Sequence, residues 1–153
     1  MRAAIYELPI RLFGNRNETR VQRGSLVQNG VGKFNDIDDN ALDSIRKLGT
    51  THLWLLGVMR QATLTEYPGL TADPPGVVKG VAGCYYAIKD CFDVCPDYAS
   101  SIDSRMEEFE ALVKRIHAHG MRVLIDFVPN HVARGYHSTV RPDLDFGSND
   151  DKS

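Results

Sequence analysis

Between residues 121 and 128 every side chain is apolar except Arg122 and Asp126, and Pro129 then stops the run. Two earlier stretches share this character. Residues 4–13 crowd Ile5, Tyr6, Leu8, Ile10, Leu12 and Phe13 together, and residues 51–58 read Thr-His-Leu-Trp-Leu-Leu-Gly-Val. Near-continuous apolar content without alternation marks strands buried on both faces, which is the habit of parallel sheets. Parallel strands need a crossover between them, usually a helix, and the chain supplies two. The first can be capped by Asp38 or Asp39, has a stripe of Ala41, Leu42, Ile45 and Leu48, and stops at Gly49. The second spans residues 104–119, with Met106, Phe109, Leu112, Val113 and Ile116 at helical spacing, a Ser104-x-x-Glu107 capping box and Gly120 as its stop. Its charges Glu107, Glu108 and Glu110, with Lys114 and Arg115, are expected to form a solvated face. The order strand, helix, strand, helix, strand predicts right-handed βαβ units in an α/β fold.

Two stretches carry no such period. Residues 14–35 are polar and rich in Gly and Asn, and are expected to be loop. Residues 59–101 lack helical or strand period and are punctuated by Pro68, Pro74, Pro75, Gly69, Gly76, Gly80 and Gly83. A loop of that length after the second strand calls for a functional reason. The polar tail from residue 133 ends in Asn149-Asp150-Asp151-Lys152-Ser153 without a closing element, and reads as a chain cut inside a loop.

Composition excludes several classes. A formal net charge of −2 gives no footprint for nucleic acid or an anionic membrane. No apolar run approaches the ~20 residues of a membrane helix. Glu7 interrupts the start too early for a secretory signal, so a cytoplasmic location is expected unless a leader has been removed. Cys84, Cys91 and Cys95, at C-x6-C-x3-C spacing, match neither a disulfide framework nor a common zinc pattern, and are read as free thiols. No nucleophile elbow, P-loop or Gly-x-Gly-x-x-Gly is present.

In parallel α/β folds ligands gather at the carboxyl ends of the strands, where three features fall. Asp126 is a carboxylate at the end of a buried strand and needs a partner such as an arginine; no residue of the chain is an obvious candidate, and the plainer reading is a strand-end Asp bonded to loop amides. Asn130 and His131 offer a carbonyl oxygen and a ring nitrogen, to a ligand or merely to a turn. Tyr85 and Tyr86 sit in the long loop, as a stacking platform or as packing. His117 and His119, two apart on a helix, point in different directions and are set aside as a metal pair.

These segments together resemble the α-amylase family, glycoside hydrolase family 13. Val123-Leu124-Ile125-Asp126-Phe127-Val128-Pro129-Asn130-His131 looks like its first signature region, the third barrel strand ending in Asp-x-x-x-Asn-His. The helix from Glu110 to Gly120 is similar to the one leading into that strand, the stretch from Tyr86 to Tyr98 to the part supplying a sugar-stacking tyrosine, and His52-Leu53-Trp54-Leu55 to the second strand. The resemblance implies a partial (β/α)8 TIM barrel: the first three strands and two helices, with residues 1–153 as the amino-terminal part of one catalytic domain, truncated before the fourth strand. It implies an enzyme acting on α-glucosidic linkages of starch-like glucans or oligosaccharides by retaining double displacement, as hydrolase or transglycosylase. Tyr86 and His131 would bind the sugar, Asp126 would anchor an arginine near the nucleophile, and Asn130 matches a calcium-binding position. The chain reads Cys84-Tyr85-Tyr86-Ala87 where many relatives have Ser-Pro-Tyr or Gly-Tyr-Asp, so the aspartate that binds the terminal sugar in exo-acting glucosidases is absent. The nucleophile and the acid/base belong to later strands, so residues 1–153 alone are expected to be inactive, and, with open sheet edges, prone to aggregate. A non-catalytic carbohydrate-binding protein on the same fold is the alternative. A doubly wound small-molecule domain is a third reading, but would want a glycine-rich phosphate turn after the first strand.

Overall fold

The structure, a computed structural model, describes residues 2–144; the polar ending at residues 149–153 lies outside them. β1 (Ile5–Pro9) is followed by a short helix α1 (Leu26–Asn29), α2 (Asp39–Lys47), β2 (His52–Leu56), β3 (Met59–Gln61), β4 (Ile88–Val94), α3 (Arg105–Ala118) and β5 (Arg122–Ile125). β1, β2 and β5 form a parallel sheet in that order, with Ile5, His52 and Arg122 in one row and Glu7, Trp54 and Leu124 in another. This is the expected βαβ arrangement, an open part of a barrel wall rather than a closed barrel. No helix among the described residues is long and apolar enough to cross a membrane.

The helices cover one face of this sheet. Leu8, Ile10, Leu53 and Leu55 from the strands pack with Leu42 and Ile45 of α2 and Leu112 and Ile116 of α3 in one buried core. Asp38 caps α2, its Oδ1 accepting the Ala41 N–H at 2.8 Å. Leu48, expected in the α2 stripe, falls at the C-cap and is exposed. Side chains alternate across a strand, so Ile5, Glu7, His52, Trp54, Arg122 and Leu124 share the opposite face. That face and the β5 edge leave Ile5, Leu124, Ile125 and Phe127 exposed, Phe127 at 70%.

Four expectations about local structure are corrected. Ser104 makes no capping bond. Glu108 instead accepts the backbone N–H groups of Ser100 and Ser101 at 2.9 and 2.7 Å and the Asn35 amide at 3.0 Å. It therefore ties the start of α3 to the preceding loop rather than lying on a solvated face. The capping box sits in the expected loop: Ser25 and Gln28 bond reciprocally around α1. Within residues 59–101, β3 and β4 pair antiparallel across a bulged register. Their period is hidden because positions that are usually apolar in a strand interior carry buried charges. Asp93 receives a two-pronged bond from Arg105 at 2.7 and 2.9 Å, Lys89 bonds Asp73 at 2.9 Å, and Arg11 pairs with the fully buried Asp97.

Candidate functional site

The carboxyl ends of β1, β2 and β5 meet on one rim. β5 ends at Ile125, so Asp126 stands at the first position past it, on the face opposite the helices by strand alternation. Its carboxylate is half-buried, and each oxygen accepts one hydrogen bond. Oδ1 accepts the Trp54 indole N–H at 3.0 Å, and Oδ2 accepts the Gly57 backbone N–H at 2.7 Å. The Gly57 amide is a partner of the kind the plainer reading expected, the Trp54 indole adds a second, and no arginine pairs with Asp126 among the described residues. Trp54 lies on β2 and Gly57 just beyond it, so one carboxylate ties the end of β5 to the end of β2. Both donors are neutral. Each carboxylate oxygen has a second lone pair, so Asp126 can still accept from a cation that approaches the rim.

Gly57 explains how the long loop is registered against this point. Its φ of +73° is the left-handed conformation that glycine tolerates best. A Cβ there would stand 2.3 Å from Cδ1 of Tyr85, so the tyrosine ring packs directly on the glycine. Tyr85 and Tyr86 occupy the middle of a tight turn closed by the Ala87 N–H to the Cys84 carbonyl at 2.9 Å. With Tyr85 seated inward, Tyr86 stays 41% exposed. The Tyr86 hydroxyl titrates higher than a free tyrosine, through partial desolvation first and then the nearby charges of Asp126 and Glu7.

His131 and Asn130 are exposed, and bond one another, His131 Nδ1 lying 2.6 Å from Asn130 Oδ1. No hydrogen bond joins either to Asp126 or Tyr86 among the described residues. Tyr86 is joined to the Asp126 point through its neighbour Tyr85, which packs on Gly57, while Asn130 and His131 form a separate pair whose Nε2 has no partner among the described residues. A hard cation such as calcium wants six to eight oxygens. Asn130 offers one, already facing His131, and the described residues contain no group of three or more His, Cys, Asp or Glu able to hold a metal.

The thiols carry no chemistry at this rim. Cys84, Cys91 and Cys95 are all free, and burial first, then the charge of Asp97, push the Cys95 thiol up to about 12. The residues that sequence reasoning missed are Trp54 and Gly57, with Tyr85 in its seating role. The available signal was a lone glycine ending an apolar strand, which often marks close backbone approach.

A family model described as the alpha amylase catalytic domain matches residues 15–145. The chain is 26% identical over 131 residues, 86% of its length, to Alpha-amylase 3 of Dictyoglomus thermophilum, of which it covers 19%. It superposes on the crystal structure of an alpha-amylase from Lactobacillus plantarum with a TM-score of 0.61 at 27% identity, over 93% of this chain and 26% of that one. An alpha-amylase from Geobacillus thermoleovorans, solved in complex with acarbose, gives 0.58 at 25% identity, over 93% of this chain and 26% of that one. The chain therefore spans about a seventh to a quarter of the relatives it matches.

Proposed function

The chain belongs to the α-amylase family of glycoside hydrolases, and from that premise we propose that it forms the sugar-binding edge of a catalytic barrel whose later strands lie outside these 153 residues. The whole protein then acts on α-glucosidic linkages of starch-like glucans or oligosaccharides, by hydrolysis or transfer. The observation that carries the reading is the Asp126 carboxylate fixed by Trp54 and Gly57 at 3.0 and 2.7 Å, with the Tyr85–Tyr86 turn packed on Gly57 through Tyr85.

In this reading the exposed Tyr86 ring stacks on the apolar face of a sugar. His131, its Nδ1 held by Asn130, presents Nε2 to a sugar hydroxyl. Asp126 uses its remaining lone pairs to orient an arginine from a later strand. Retention requires a nucleophile and an acid/base about 5–5.5 Å apart; both are proposed to come from the rest of the barrel, so residues 1–153 alone would hold sugar without cleaving it. For Asn130 the proposal is a single calcium ligand completed by groups elsewhere, and no step is routed through the ion.

The test is hydrolysis of maltooligosaccharides by the full-length protein. Tyr86→Ala should lower kcat/KM about 100-fold and His131→Ala about 10- to 100-fold, in the range of losing one or two transition-state contacts. Unchanged kcat/KM in both variants would remove the rim from the active site. Sugar binding without any turnover by the full-length protein would favour the non-catalytic reading.

A further inference from the structure

The opposite end of the same sheet carries an arginine cluster. At the amino-terminal ends of the strands lies a cleft of about 340 Å³ whose lining includes Arg2, Arg46, Arg122, His52, Thr51 and Gly120, and no carboxylate. The three arginines come from different elements: the arm before β1, the last turn of α2 and the first residue of β5. Arg11, Arg60, Arg105 and Arg141 each lie beside an aspartate; Arg2, Arg46 and Arg122, like Arg16, Arg20, Arg23, Arg115 and Arg134, have no ion pair among the described residues, but only these three line one cleft together. Arg46 Nη1 reaches only the Thr50 carbonyl, at 3.2 Å. Favourable placement near the negative end of α2 accounts for Arg46, but not for Arg2 or Arg122. The nearest carboxylate by register on this face is Glu7, one row further along and two strands from Arg122.

Three guanidinium groups lining one cleft repel one another unless an anion is held among them. The chain's net charge of −2 makes such a cluster the opposite of its average character. Planar guanidinium forks match phosphate oxygens bidentately, and the cleft volume is of the size that holds a small ligand. We propose that this cleft binds a phosphate group, borne by a sugar phosphate or free as inorganic phosphate, at a site separate from the sugar-binding rim. The inference does not depend on the catalytic reading.

The experiment is calorimetric titration of the full-length protein with inorganic phosphate and with glucose 6-phosphate. Saturable binding, weakened at least tenfold in the Arg46→Gln/Arg122→Gln double variant, is expected. Tighter binding of glucose 6-phosphate assigns the site to sugar phosphates, and equal binding assigns it to inorganic phosphate. A second measurement uses the unsubstituted protein: phosphate should slow phenylglyoxal labelling of Arg2, Arg46 and Arg122 but not of Arg134, read by peptide mass spectrometry. Absence of that protection, or binding untouched by the double substitution, overturns the proposal.

Discussion

Two sets of aspartates in this chain are held in different ways. In the β3–β4 excursion, Asp93 and Asp97 are buried against arginines. At the rim, Asp126 is held among the described residues by an indole and a backbone amide. A buried carboxylate already neutralised by a partly buried arginine fastens one part of the fold to another, and removing either member leaves the other's charge uncompensated. A carboxylate oriented by neutral donors keeps its charge and spare lone pairs for something that arrives later. The excursion aspartates are fasteners in this view, and Asp126 is an oriented but available anion.

The largest effect should therefore come from the fasteners. Asp93→Asn leaves Arg105 without its carboxylate, and should lower unfolding free energy by about 3–5 kcal/mol in urea titrations of the full-length protein. A loss below 1 kcal/mol would dissolve the distinction. Next comes Gly57→Ala, which places a methyl against the Tyr85 ring at a left-handed φ. It should cost about 2 kcal/mol through backbone strain and lower kcat/KM more than tenfold, because the Tyr85–Tyr86 turn shifts. Retained activity would show that Tyr86 is positioned independently of Gly57.

The smallest effect concerns a pair of aspartates outside both sets. His119, after α3, meets Asp39 through Nε2 and Asp43 through Nδ1, each at 3.0 Å. Two carboxylates facing both ring nitrogens require the imidazolium, and bonding to Asp39 first raises its pKa above that of a free histidine. Because the folded pKa is raised, this clamp contributes fully below the unfolded value of about 6.5 and is lost as pH rises through the folded value. Melting temperature should fall slightly across that window, and Asp39→Asn/Asp43→Asn should flatten the slope. An unchanged slope in the double variant would assign the pH response to other groups.

Legibility of the chain followed the same division. The three strands of the parallel sheet and helices α2 and α3 were readable because their buried positions are apolar and local in pattern. β3 and β4 were not, since Lys89, Asp90 and Asp93 occupy buried strand positions and are satisfied by partners such as Asp73 and Arg105, 16 and 12 residues away. Glu108 looked like one more surface acid for the same reason: the backbone groups it caps are set by the tertiary path. At the rim, Asp126 stood out as a charge at the end of an apolar strand. Trp54 did not, because a tryptophan in a buried strand reads as packing until the structure brings its indole nitrogen to a carboxylate 72 residues later.

Asp126→Asn probes the central claim most directly. Both oxygens of Asp126 accept hydrogen bonds, so either orientation of the amide turns one of its N–H donors on Trp54 or Gly57, at about 1–3 kcal/mol, less than for Asp93→Asn. At a temperature where the variant remains folded, kcat/KM of the full-length protein on maltooligosaccharides should fall about 100-fold, as for loss of one charged contact made in the transition state. A folded Asp126→Asn protein with kcat/KM within twofold of the unsubstituted enzyme would contradict the assignment of this rim to the active site.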